Sequence, residues 1–184
     1  MNKRDNLGLQ LDGINEVTGV PQSEMGTALA DTSMPSLPVS PNSGPCIGLF
    51  LAHFASDVTH FTTTVRYAEG HNPNDPNPHA PPPTLRNHEF RHVEYLKNYL
   101  DSVDNLLASI RATKCVCWSC FLAKKNYFDS MNWYYFEEMR ANNYQFDCSQ
   151  YGQWCDAAQD AQKLASTYAT MASKAKADYQ KACQ

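Results

Sequence analysis

His88, Glu89 and His92 stand within LRNHEFRHVEYL (residues 85–96), two imidazoles four positions apart with a carboxylate directly after the first. On a helix, positions i and i+4 lie one above the other, so the two rings converge on one point. Zinc takes neutral imidazole nitrogens at about 2.0–2.1 Å, and His-Glu-x-x-His on a helix meets that requirement. The glutamate falls beside the neighbouring coordination position, where a carboxylate accepts a proton from metal-activated water. The bland alternative is a pair of core histidines satisfied by ordinary hydrogen-bond partners.

The helix that carries these residues is the clearest element in the chain. Leu96, Tyr99, Leu100, Val103, Leu106, Leu107 and Ile110 recur at three- and four-residue spacing, the period of an amphipathic helix. Stepping back by fours from Leu96 reaches His92 and then His88, so both rings belong to the buried face. Pro81, Pro82 and Pro83 forbid an earlier start, and Thr84 or Asn87 is a plausible cap. Upstream, Phe61–Tyr67 is β-branched and aromatic with rough alternation and reads as a strand. HNPNDPNPHAPPP (71–83) must be an exposed loop. Downstream, KCVCWSC (114–120) interrupts the period. Two further helical segments follow, roughly 121–146 and 153–182, the last with a narrow alanine-rich stripe that includes Trp154, Ala158, Ala161, Leu164, Ala165, Tyr168, Met171 and Ala172. Residues 1–44 are rich in Ser, Thr, Pro, Gly and Asn and read as a disordered or extended arm, leaving one folded domain over 45–184. The fold class is α+β, mainly helical, with a short β-region before the motif helix.

Composition excludes several functions. A net charge of -4 with no Lys/Arg run gives no electrostatic reason for nucleic acid. The longest apolar stretch, CIGLFLAHFA, is half what a bilayer requires, so no membrane span is expected. Seven cysteines, six of them in the last 70 residues, favour disulfides and a secreted or periplasmic location, with a reducing cytoplasm as the alternative. No apolar stretch near the N-terminus reads as a secretory signal. His53, His60, His71 and His79 read as surface or loop residues.

A catalytic zinc needs a third protein ligand, and FEEMRANNYQF (136–146) places carboxylates on the next helical segment. With HEFRH, this segment resembles the gluzincin branch of the zincin metallopeptidases, in which a second helix bears Glu-x-x-x-Asp or a close variant. The resemblance spans roughly residues 60–146. It implies a zinc-dependent peptidase acting on protein or peptide substrates. Glu89 would be the general base, His88, His92 and Glu138 the zinc ligands, and Asn142 the residue that orients a ligating histidine. Asn142 stands where the family more often has Asp, and Glu137 competes with Glu138. The family also implies a substrate-binding edge strand, for which TTTVRY (62–67) is the candidate, and an oxyanion stabiliser among Tyr134, Tyr135 and Tyr144. Two rivals stand beside this reading. One is a zinc nucleobase or nucleoside deaminase built on His92-Val93-Glu94 and Cys117-x-x-Cys120. The other is a non-catalytic helical interaction protein that keeps the scaffold.

Overall fold

The computed structural model describes residues 10–33, 60–78, 82–111 and 118–184. A three-stranded sheet is built from β1 (Gln10–Val20), β2 (Ala30–Thr32) and β3 (His60–Ala68), with the short helix α1 (Gln22–Met25) between the first two. Three long helices follow: α2 (Leu85–Arg111), α3 (Trp118–Tyr151) and α4 (Cys155–Ala182). Among the described residues the protein is mainly helical with one small sheet. The sheet order is β1-β3-β2, with β1 parallel and β2 antiparallel to β3.

The strand read from residues 61–67 is present as β3. Its alternation is real: Thr63, Val65 and Tyr67 are fully buried, while Thr62 is exposed and Thr64 and Arg66 are half-buried. The described part of the N-terminal stretch, expected as an arm outside the domain, supplies the other two strands. Of β1's side chains from Gly13 on, only Val20 is buried. Its place therefore comes from the backbone ladder with β3, which leaves no apolar period in the sequence.

Helix α2 starts where the prolines predict. Thr84 Oγ1 accepts the Asn87 N–H at 3.2 Å, and the Leu85 and Arg86 N–H groups donate to the carbonyls of Asp75 and Pro73 in the preceding loop. These partners satisfy backbone donors that a helix start leaves open. Two stripes on α2 then serve two different cores. Leu85 and Val93, with partly buried Phe90, pack against Val65 and Tyr67 of the sheet. Leu96, Tyr99, Leu100, Val103, Leu106, Leu107 and Ile110 pack against Phe121, Tyr127, Phe128 and Met139 of α3. Each fully buried large apolar side chain contributes about 1.5–3 kcal/mol. Residues 88–92 lie where these two cores meet.

Helices α3 and α4 run on as a hairpin. Ala158, Ala161, Ala165 and Ala172 of the expected stripe are buried, whereas Leu164 and Met171 are exposed. Two disulfides tie this part of the chain, Cys120–Cys183 and Cys148–Cys155. Cys46, Cys115 and Cys117 lie outside the described residues, as do His53 and His79. Among the described residues, no helix is long and apolar enough to cross a membrane.

Candidate metal centre

The two-stripe layout of α2 separates the motif's residues by role. His88 and His92 continue the stripe that faces α3, whereas Glu89 lies between Leu85 and Val93 on the stripe that faces the sheet. All three are buried, at 4%, 7% and 4% exposure. The imidazoles meet Asp147 near the end of α3. His88 Nε2 and His92 Nε2 are 3.1 Å apart, and Asp147 Oδ1 lies 3.3 Å from the first and 3.2 Å from the second.

These separations fit a shared cation. Three ligand atoms held about 2.0–2.1 Å from a tetrahedral zinc stand roughly 3.3–3.4 Å apart, close to the triangle that the side chains form. The tautomers fit as well. Asn143 Nδ2 donates to the Met139 carbonyl at 2.8 Å, which turns its Oδ1 toward His92 Nδ1, 2.5 Å away. His92 therefore donates from Nδ1 and keeps its Nε2 lone pair for the shared point. The Tyr151 hydroxyl lies 3.4 Å from His88 Nδ1 and donates to Asn77 Oδ1 at 3.5 Å, so it is arranged to accept from His88 in the same sense. Asp147 Oδ1 is buried, at ion-pair distance from both imidazoles but without full hydrogen-bond geometry to either. A buried carboxylate oxygen beside two imidazole nitrogens calls for a positive charge among them, which a bound cation or a proton on His92 supplies. Phe146 closes one side, stacked on His88 at 4.8 Å and edge-on to His92 at 5.5 Å.

In the metal-free protein the same groups favour a proton on His92. Burial pushes Asp147 up, but the two imidazoles outweigh it and hold the carboxylate below its usual range. Burial opposes a charged His92, yet Asp147, Glu89 and Asn143 prevail and raise it. Glu89 is raised, chiefly by burial, with His92, the Thr32 hydroxyl and His88 opposing. Thr32 Oγ1 donates to Glu89 Oε2 at 2.6 Å, so an edge strand of the sheet fixes this carboxylate.

The structure does not bring Glu138 to the imidazoles. Glu138 is exposed and accepts from the Tyr134 hydroxyl at 2.9 Å. With exposed Asn142 it lines a small cleft against Tyr95 and Tyr99, farther along α2 than His92. Glu137 is buried and paired with Arg140. The residues opposite the histidines are instead Asn143 and Asp147. The sequence read the right helix with its packing register displaced, and it stopped that helix at 146, one residue short of Asp147. Helix α3 runs to Tyr151 and ends before Gly152, whose positive φ (66°) suits glycine at a helix C-terminus. That glycine was the available signal.

Other expected residues are dispersed. Tyr135 packs against the main core, and Tyr144 stacks on Trp154 at 6.0 Å. His71 is half-exposed and 3.3 Å from Asp75. Of the residues in the deaminase reading, Cys120 is bonded to Cys183, Glu94 is exposed beside Arg91, and Cys117 lies outside the described residues. Over Val65–Tyr67, β3 is flanked by strands on both sides, so it is the sheet's centre and not a substrate-binding edge. Comparison with protein-family models, with curated proteins and with solved structures finds no match.

Proposed function

We propose that this protein is a zinc-dependent hydrolase, most specifically a peptidase, with His88, His92 and Asp147 as metal ligands and Glu89 as general base. The observation that carries the reading is the convergence of two Nε2 atoms and Asp147 Oδ1 within 3.1–3.3 Å of one another, next to a buried carboxylate that is not itself part of the triangle. Zinc in that position supplies Lewis acidity and lowers the pKa of a water molecule. Glu89, raised by burial, is suited to take a proton from the attacking water and return it to the leaving amine. Thr32 holds Glu89 in the orientation this exchange needs.

The peptidase assignment draws on β2. The bonds from Ser33 N–H to the Thr64 carbonyl and from Ala68 N–H to the Leu29 carbonyl place Leu29, Asp31 and Ser33 in the ladder with β3. By alternation, the backbone groups of Ala30 and Thr32 face the outer edge, where no described strand pairs. An extended peptide added at that edge runs past Thr32, whose side chain holds Glu89. The test is cleavage of a peptide library by purified protein. Loss on chelation, recovery with zinc, and loss of about 10²–10⁴-fold in Glu89→Gln with zinc retained are expected. Cleavage that persists in zinc-loaded Glu89→Gln refutes the assignment, and zinc binding with no turnover on any peptide leaves a metal-stabilised interaction module.

A further inference from the structure

Cys148 directly follows Asp147 and is bonded to Cys155, with Cα atoms 4.8 Å apart across seven positions. The closed segment contains Tyr151, the residue beside His88 Nδ1. It also contains two left-handed residues, Gly152 (φ 66°) and Trp154 (φ 65°). Trp154 is the one non-glycine residue with positive φ among the described residues, and it is 60% exposed. A side chain at Cβ disfavours that conformation, which persists only where surrounding structure imposes it. Here the covalent link through the adjacent Cys155 is in position to impose it.

The same link governs the metal side of the turn. Asp147 and Tyr151 lie in the last five residues of α3, next to the terminal turn where fraying begins. Asp147 Oδ1 has no hydrogen bond of full geometry to hold it in place. The other two members of the triangle are fixed from within a buried helix, so Asp147 is the ligand that depends most on an external constraint. Cys148 and Cys155 are both half-buried, whereas the other disulfide joins fully buried Cys120 to half-buried Cys183.

We infer that the Cys148–Cys155 bond is a positioning element for the metal centre, so that metal affinity follows the redox state of this one disulfide. The inference rests on the metal-site reading above. Reduction by a trialkylphosphine breaks the S–S bond to two thiols; the phosphine gives the two electrons and becomes its oxide with oxygen from water, whose hydrogens protonate the thiols. The last turn of α3 is then released and Asp147 withdraws from the imidazoles.

The experiment measures zinc affinity of the full chain by competition with a chromophoric chelator. It compares oxidised wild type, the Cys148→Ser/Cys155→Ser variant and the Cys120→Ser/Cys183→Ser variant; serine removes the thiols that would themselves bind zinc. The first variant is expected to bind about 10–100-fold more weakly, as when a residue that positions a ligand is lost. The second is expected to match wild type even where its melting temperature falls, which separates positioning from general stability. If the first variant does not fold, phosphine titration of wild type, with freed thiols located by mass labelling, gives the same comparison: affinity falls as Cys148 and Cys155 become labelled. Affinity within twofold of wild type after loss of Cys148–Cys155, or equal weakening by loss of either disulfide, overturns the inference while leaving the metal site intact. Oxidised wild type that binds no zinc removes the site and the inference together.

Discussion

Asn143→Ala isolates the residue that orients His92. Asn143 is 4% exposed, accepts from His92 Nδ1 at 2.5 Å and donates to the Met139 carbonyl at 2.8 Å. Alanine removes the acceptor, so the His92 ring is free to rotate or to carry its proton on Nε2, where it blocks the metal. Loss of such an outer partner weakens metal binding about 10–100-fold, or roughly 1.4–2.7 kcal/mol. The metal-free fold also loses about 1–3 kcal/mol, because the His92 N–H is left buried and unpaired. Zinc affinity by chelator competition, measured well below the melting temperature with helicity checked by circular dichroism, reads the first effect. Thermal unfolding of the metal-free protein reads the second. Asn142→Ala, one position away and exposed, is the control and is expected to change neither. Equal zinc affinity in Asn143→Ala and wild type, or a larger loss in Asn142→Ala, refutes the assignment of tautomer and register.

Four further outcomes follow from the same geometry. Thr32→Val removes the 2.6 Å bond to Glu89; a hydrogen bond to a charged group is worth about 1.5–3 kcal/mol, so kcat/KM on a cleaved peptide should fall about tenfold or more while zinc affinity holds. Tyr99→Phe strips the donor from buried Asn132 Oδ1, 2.8 Å away, and should cost about 1–3 kcal/mol in urea unfolding. Leu96→Ala, at a fully buried core position, should cost about 2–5 kcal/mol by the same assay. Losing Cys120–Cys183, which closes 63 positions, should cost about 4 kcal/mol by chain entropy, against about 2.5 kcal/mol for the shorter Cys148–Cys155 loop; comparison of the two double-serine variants checks the order.

What the sequence made legible was the helical period. The stripe from Leu96 to Ile110, carried back to His92 and His88, placed both imidazoles on the buried face of α2, and the prolines set where that helix begins. Glu89 was legible as a neighbour of the histidines, but its partner was not: Thr32 lies 57 positions away on a three-residue strand with no periodic signal. The third carboxylate was misplaced for a similar reason. The segment 121–146 has little apolar periodicity to fix which of its side chains turn inward: Glu138 is exposed, and the carboxylate beside the histidines is Asp147, nine positions on. Strand β1 escaped because backbone pairing, not apolar side chains, holds it.

The central claim is that Asp147, meeting His88 and His92, completes one metal site. It is tested most directly by the zinc content and affinity of wild type beside Asp147→Ala, His88→Ala and Glu138→Ala. One zinc per chain is predicted in wild type and Glu138→Ala, with binding lost in His88→Ala and Asp147→Ala. Stoichiometric zinc in Asp147→Ala, or its loss in Glu138→Ala, contradicts the account.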